Sequence, residues 1–403
     1  MKDKVNKRIC GYIAIICLAL LLSGCWDRRE LQDRNFVLAA AIDTADAGQI
    51  GSQDGAVTRT ETFVQPHGAK RYRLSLQVLR LVSGGEGDEK EAEGKTYVLS
   101  NTGQSIFEMI RDTLGQSSKS LWLEHIQTII ISEAAVKEAG GLEPILDFFR
   151  RDGEARWRIK VYLTPGEARP FLEYIPPSGE PGGIFLAKMA DLHLKNVHVA
   201  AARADLGYIS QHIDAGVDVI VPRIELSNKV VKLGGQALFK KDKFVGYLDE
   251  YGVKGLRFIH GTEKSAIITV GCPDHPGEML VFELFNHDTK LEPHGEGDNI
   301  YFTLDIYMRG NIGEVQCPSH DTKNPDYIRK LEVLFAEEVK RNVLYSLGVC
   351  QKLGVDAPRF AGKLKAYKPK IWAKIKDRWD EIYPTVPLVV SVNVTIRNIG
   401  EHK

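Results

Sequence analysis

Hydrophobic residues recur along this chain with two different spacings, and each spacing predicts a different secondary structure. Residues 390–397 alternate strictly between aliphatic and polar side chains, which is typical of a strand with one buried face. Residues 328–343 place an apolar residue every three or four positions, which predicts a helix with one apolar face. Asn324 and Pro325 stand just ahead of this helix as an N-cap and a first-turn proline. A helix lying across a sheet would bury both apolar faces.

The two spacings interleave through the rest of the chain, so the predicted fold class is α+β. Strands are predicted at residues 36–42, 71–80, 126–131, 159–163, 217–221, 237–239, 244–248, 266–270, 279–285 and 300–308. Helices are predicted at residues 104–114, 133–139, 142–151 and near 200–204. The three strands between residues 266 and 308 are expected to form an antiparallel meander. The last strand, at residues 388–397, is expected to run antiparallel in the same sheet.

Breaks in composition divide the chain into three predicted domains. Residues 174–183 contain three prolines and three glycines, which is the composition of a linker. The predicted units are a signal peptide at residues 1–24, an N-terminal α+β domain at 25–176, a small middle domain at 177–262 and a C-terminal α+β domain at 263–403. Within the first domain, two polar, glycine-rich segments at residues 46–70 and 83–95 are predicted to be loops.

The N-terminus has the layout of a secretory signal. Four basic residues among the first eight precede an uncharged stretch of fourteen residues, which is shorter than the roughly twenty that a spanning helix needs. The stretch ends in Leu22, Ser23, Gly24 and Cys25, the bacterial lipobox pattern. We predict cleavage between Gly24 and Cys25, with S-diacylglycerol on the Cys25 sulfur and an amino group open to N-acylation. The alternative is an ordinary signal peptide in which Cys25 is incidental.

Bulk composition is that of a globular protein, with 43% hydrophobic and 26% charged residues. Loss of residues 1–24 removes four basic residues and one acidic residue, which leaves a net charge of about −3. Nucleic-acid binding requires clustered positive charge, so we expect no nucleic-acid partner. The sequence contains no zinc-protease, serine-hydrolase or P-loop motif, so we predict no catalytic residues and no cofactor.

Three cysteines besides Cys25 remain after cleavage, which permits at most one disulfide within the chain. Two of them begin Cys-Pro-x-His motifs at the ends of the first and third meander strands; the motif residues are Cys272, His275, Cys317 and His320. These four residues are candidate zinc ligands, and a disulfide between the two cysteines is a second interpretation. Strands two apart are separated by roughly 9.6 Å, whereas a disulfide needs Cα atoms within about 7 Å. The interpretation as unlinked turn residues is therefore favoured.

Five blocks of sequence occur in an order that is specific to one known family. They are residues 24–31 with 36–43, 123–131, 145–154, 235–248 and the C-terminal segment with Pro369, Trp372, Trp379 and residues 388–400. Together they resemble the Ger(x)C family of spore germination lipoproteins, least closely at residues 46–70 and 348–360. The resemblance implies an α+β fold of three domains, each a mainly antiparallel or mixed sheet flanked by helices.

The resemblance also implies a function: the lipid-anchored, non-catalytic C subunit of a nutrient germinant receptor, required for the germination response. The implied partners are integral membrane A and B subunits, with membrane lipid bound through Cys25. The implied location is the outer face of the spore inner membrane. The alternative is an extracytoplasmic solute-binding lipoprotein of a transporter, which the meander and the antiparallel last strand disfavour. A cell-wall hydrolase is disfavoured because no acid or metal motif is visible.

Overall fold

The structure is a computed structural model and describes residues 33–45, 70–80, 95–191, 205–262, 265–273, 275, 277–296, 299–317 and 324–398. Within these residues the chain forms two sheets with helices packed against them, so the predicted α+β class is confirmed. The residues predicted to form a signal peptide, the two glycine-rich loops and the alanine-rich helix near residue 200 lie largely outside the described ranges. No described helix combines the length and the apolar character needed to cross a bilayer.

The strands of the first sheet are β1 (Arg34–Thr44), β2 (Tyr72–Leu79), β3 (Thr96–Gly103), β4 (Ser120–Trp122), β5 (Thr128–Ser132), β6 (Lys160–Thr164), β7 (Val219–Ser227), β8 (Val230–Lys240) and β9 (Lys243–Leu248). Those of the second are β10 (Ala266–Gly271), β11 (Met279–Glu296), β12 (Asn299–Val315) and β13 (Leu388–Asn398). The described α-helices are α1 (Ile106–Thr113), α2 (Glu133–Ala139), α3 (Glu143–Arg151), α4 (Pro170–Glu173), α5 (Gly182–Asp191), α6 (Leu206–Asp214), α7 (Glu250–His260), α8 (Pro325–Lys352), α9 (Phe360–Tyr367), α10 (Pro369–Ile375) and α11 (Trp379–Ile382).

The first sheet is mixed and has the order β3-β2-β1-β5-β6-β7-β8-β9, with β4 also paired to β1. Its central strand, β1, runs antiparallel to β2 and parallel to β4 and β5. Both faces of β1 are buried: Ala40 and Ile42 belong to one core, and Ala39 and Ala41 to the core on the opposite face. A strand covered on both sides needs no polar face, which explains its continuous apolar run.

The two halves of the first sheet meet at β6 and β7, which share one register pair, Leu163 with Arg223. Side chains from β7 and β8 nevertheless lie in the same hydrophobic core as side chains from β1, β5 and β6. The predicted N-terminal and middle domains therefore share a sheet and a core. Their division at residues 176 and 177 remains a prediction.

The second sheet has the order β10-β11-β12-β13, and the predicted meander of β10, β11 and β12 is antiparallel. The prediction that the last strand runs antiparallel is wrong, because β13 pairs with β12 in parallel. Between these strands, the 28-residue helix α8 crosses the sheet and returns the chain to the edge where β12 began. Leu331, Phe335 and Val339 of α8 are buried against the sheet, as the helical spacing predicts.

Candidate functional site

The predicted lipid attachment site, Cys25, and the cleavage position before it, Gly24, lie outside the described residues. The described chain begins at Asp33, eight positions after Cys25. An extended segment of that length spans at most about 28 Å. The start of β1 must therefore lie close to whatever surface holds Cys25.

The end of the first sheet where β1 starts carries exposed aromatic and basic side chains. Parallel strands begin at the same sheet edge, so the segments preceding β5 and β6 lie beside Arg34. The Arg34 guanidinium lies 4.2 Å from the centre of the Trp122 ring, and Trp157 is 59% exposed. Arg156 Nη2 lies 2.6 Å from Glu124 Oε1, and this bond lowers the pKa of the Glu124 carboxyl. Aromatic and paired charged groups thus occupy this end together.

The two Cys-Pro-x-His motifs converge at the edge of the second sheet. Cys272 and Cys317 form a disulfide with Cα atoms 5.8 Å apart, and both side chains are buried. His275 Nδ1 lies 3.8 Å from Cys272 Sγ and 3.9 Å from Cys317 Sγ. The fourth candidate ligand, His320, lies outside the described residues. Three of the four candidate residues are therefore brought together.

The interpretation of these cysteines as unlinked turn residues is wrong. It assumed that both residues keep the spacing of strands two apart, but each lies beyond the end of its strand. The Cys272 amide donates to the Glu278 carbonyl at 2.8 Å, which continues the register of β10 and β11 by one residue. The Cα separation of 5.8 Å nevertheless shows that the regular spacing of strands two apart does not hold at the cysteines. Cys350, the third cysteine, is buried and free.

Two concave regions lie on the described surface, and neither lining includes a histidine or a cysteine. The smaller, of about 270 Å³, is polar, and four of its charged residues form two pairs: Arg223 with Glu225, and Lys232 with Glu250. The larger, of about 580 Å³, lies between α1 and α3, where the half-exposed Phe107 stacks on a neighbouring ring. Sequence reasoning missed both regions, because each is formed by residues far apart in the chain.

A cluster of polar groups, called the joint below, connects the first sheet to the part of the chain that contains α8 to α11. Its members are Asp218, Lys240, Asp356 and Asp380. Asp218 accepts hydrogen bonds from the amides of Lys241 at 2.9 Å and Asp356 at 2.7 Å. Lys240 Nζ lies 3.3 Å from Asp218 Oδ2 and 2.6 Å from Asp380 Oδ1, which joins β8 to α11. Burial raises the pKa of the Asp356 carboxyl to about 7, and the nearby Asp218 carboxylate acts in the same direction. Sequence reasoning did not identify this joint.

The joint also contains His260, whose pKa is shifted in the opposite direction. His260 Nε2 lies 2.9 Å from the Ala357 carbonyl oxygen, and burial, assisted by the Arg359 charge, lowers the pKa of His260 from 6.5 to about 4. A raised aspartate pKa contributes stability that is complete below pH 3.8 and is lost as the pH rises through about 7. A lowered histidine pKa contributes stability that is lost as the pH falls from 6.5 towards 4. Across that interval the two contributions oppose each other.

We expect Asp356→Asn to unmask the His260 contribution. Relative to the wild type, the free energy of unfolding of the variant should rise with pH between about 4 and 7, because the Asp356 contribution that is lost over this interval has been removed. The slope is at most about 1.4 kcal/mol per pH unit, because one proton is involved. Urea titrations at several pH values measure it, and Asp288→Asn, at an exposed strand position, is the matched control. A constant difference between Asp356→Asn and wild type across this interval would refute the prediction.

Comparison with known proteins gives consistent matches along nearly the whole chain. The family model "Spore germination protein N-terminal domain" matches residues 27–226, and the model "Spore germination B3/GerAC like, C-terminal" matches residues 234–400. Spore germination protein YndF of Bacillus subtilis strain 168 is 25% identical, with 100% of both chains covered. Spore germination protein B3 of the same strain is 22% identical, over 95% of this chain and 96% of that protein.

One solved structure shares the fold. The crystal structure of the GerBC protein matches with a TM-score of 0.57 and 20% sequence identity, covering 83% of this chain and 96% of that chain. At this identity the likeness concerns the fold, and it agrees with the α+β arrangement described above.

Proposed function

The chain belongs to the spore germination B3/GerAC-like family, and from this membership we propose that it is the lipid-anchored, non-catalytic C subunit of a nutrient germinant receptor. The observation that carries the proposal is the pair of family models, which together extend from residue 27 to residue 400. The names of the relatives refer to spore germination and to no chemical reaction. In this proposal the protein supplies binding surface and stability to a nutrient-sensing complex.

The lipobox ending at Cys25 supports attachment through lipid. Two acyl chains, at about 0.8 kcal/mol per buried methylene, give stable membrane residence. The short distance from Cys25 to Asp33 would hold the first sheet at the bilayer, beside integral membrane A and B subunits. The exposed Trp157 indole, at the end of the sheet where the chain enters, suits the interface between water and lipid.

We expect Cys25→Ala to abolish lipid labelling and to move nearly all of the protein out of the spore membrane fraction. The physical reason is the loss of both acyl chains, and the experiment uses a strain without the A and B subunits, whose contacts would otherwise hold the protein at the membrane. Labelling with a palmitate analogue and membrane fractionation measure the change. Cys17→Ala, which alters a cysteine inside the signal segment, is the control and should keep the label. Full membrane retention of an unlabelled Cys25→Ala protein would contradict the lipid anchor.

Deletion of the gene, followed by scoring of nutrient-triggered germination, tests the proposed role in the receptor. We expect germination to be strongly impaired and to be restored by the wild-type gene. Co-purification from detergent-solubilised spores should recover integral membrane partners. Unimpaired germination together with lost uptake of a solute would instead identify a transporter lipoprotein and would refute the receptor assignment.

A further inference from the structure

We propose that Cys272, His275 and Cys317 form a thiol-gated zinc site, which binds one Zn²⁺ when the disulfide is reduced. In the oxidised chain the two sulfurs are bonded to each other, with His275 against them. Opening of this bond by a dithiol releases two thiols next to an imidazole. The three ligand atoms lie within 4.8 Å of one another.

The position of the imidazole is close to that required by a tetrahedral zinc ion. With Zn–N near 2.0 Å and Zn–S near 2.3 Å, a tetrahedral site has an N···S separation of about 3.5 Å. His275 Nδ1 lies 3.8 Å from one sulfur and 3.9 Å from the other. Both separations thus exceed the tetrahedral value by only a few tenths of an ångström. Zinc binding therefore requires the two sulfurs to move apart, whereas the imidazole has to move only slightly.

Backbone hydrogen bonds hold two of the three ligands, Cys272 and His275, in place. The Cys272 amide donates to the Glu278 carbonyl at 2.8 Å, and the Glu278 amide donates to the His275 carbonyl at 3.1 Å. These bonds close the turn that carries His275 back over the cysteines. On the other side of the site, the Tyr327 hydroxyl lies 4.0 Å from Cys317 Sγ. Ligands on a fixed backbone lose little conformational entropy on binding an ion.

The burial of the ligands suits an ion that enters from solvent. Cys272 is 4% exposed and Cys317 is 1% exposed, whereas His275 is only half-buried and lies on the solvent side. Two thiolates neutralise the charge of Zn²⁺, so the ion can lie next to the hydrophobic core without a net charge. Three protein ligands leave one tetrahedral position to water.

The reduction that opens the zinc site requires a dithiol as its only reactant. A dithiol gives two electrons and two protons to the Cys272–Cys317 bond and becomes a disulfide itself. The S–S bond breaks, and each cysteine becomes a thiol. Zn²⁺ then displaces the two thiol protons to solvent and binds both thiolates together with the neutral imidazole. Reoxidation by a disulfide reverses the sequence and releases the ion.

The test compares oxidised and reduced full-length protein, each in detergent and each given Zn²⁺ alone. After desalting, elemental analysis should find about one zinc per chain in the reduced protein and none in the oxidised protein. Co²⁺ in place of zinc should give the charge-transfer absorption that thiolate ligands produce. A reduced wild-type protein that retains no zinc would overturn the proposal, and the cysteine pair would then be a structural crosslink.

The decisive variant is His275→Ala, which leaves both cysteines able to pair. We expect it to form the disulfide normally but to bind zinc more than about 100-fold more weakly when reduced, since loss of a direct ligand exceeds typical losses at outer-shell partners. His294→Ala is the matched control and should bind like the wild type. His294 is also a half-buried histidine, and it lies on β11. Equal zinc affinity of His275→Ala and wild type would also overturn the proposal, because the ion would then be held elsewhere.

Discussion

Removal of the Cys272–Cys317 crosslink is expected to lower the free energy of unfolding by about 4 kcal/mol. The bond closes a loop of 45 residues, and a loop of that size restricts the unfolded chain by about this amount. The loop includes β11 and β12, and the crosslink joins the residue that follows β10 to the segment that follows β12. The double variant Cys272→Ser/Cys317→Ser, compared with oxidised wild type in urea unfolding, measures the loss.

The comparison includes a metal chelator, so that zinc does not stabilise any wild-type chain in which the bond has been reduced. His275→Ala serves as the control: it keeps the bond and should unfold close to the oxidised wild type. Intact mass, measured with and without reductant, reports whether the bond is present through the gain of two hydrogen atoms. An equal urea midpoint for the double variant and the crosslinked wild type would contradict the expectation.

Replacement of Gly255 by alanine is expected to cost about 2 to 3 kcal/mol. A Cβ at this position of α7 would lie 2.0 Å from the Asn342 carbonyl oxygen and 2.9 Å from the Ser346 Cβ, both on α8. The oxygen belongs to the backbone, so no side-chain rotation relieves the overlap, and the two helices must separate. Overpacking of this kind costs up to about 3 kcal/mol or more, which outweighs the roughly 1 kcal/mol that alanine gains over glycine in a helix.

Gly348 offers the matched control for Gly255. It lies in α8 itself, is exposed, and has no heavy atom within 4 Å of an added Cβ. Gly348→Ala should therefore raise the free energy of unfolding by about 0.5 to 1 kcal/mol, through helix propensity alone. Urea unfolding of both variants gives the comparison. Stability of Gly255→Ala within about 0.5 kcal/mol of the wild type would show that α7 and α8 do not need this close approach.

Local structure was predictable where one short segment determines it. The helix predicted at residues 133–139 forms as α2, where the Ser132 hydroxyl accepts from the Ala135 amide at 3.3 Å and Gly140 ends the helix with φ 76°. Asn324 likewise caps α8 by accepting from the Asp326 amide at 2.9 Å. Each motif satisfies its own backbone groups within a few residues, so distant parts of the chain have little influence on it.

The strands that sequence reasoning missed are those without a clear hydrophobic face. β3 (Thr96–Gly103) is the edge strand of the first sheet, and most of its side chains are only half-buried. β4 has three residues, too few to show any period. Such strands are held by pairing with a neighbour, β2 or β1 here, and the sequence of the strand alone does not carry that information.

Relations between distant segments were the least predictable. The parallel pairing of β13 depends on where α8 delivers the chain, which no pattern within β13 encodes. The meeting of Cys272 and Cys317 depends on a departure from regular strand spacing that their own motifs do not specify. In the joint, the Asp356 amide donates to the Asp218 carboxylate, 138 positions away in the chain. In each case the contact follows from the assembled sheets.

The hairpin of β7 and β8 has a consequence for how the family is divided. The N-terminal family model ends at residue 226 and the C-terminal model begins at residue 234, so their boundary falls inside this hairpin. A fragment that ended there would separate Val219 from its partner Phe239. Both pieces would then have an unpaired, aggregation-prone strand edge. The two halves that the family models divide are thus one folded unit in this protein, and neither half can complete the hairpin alone.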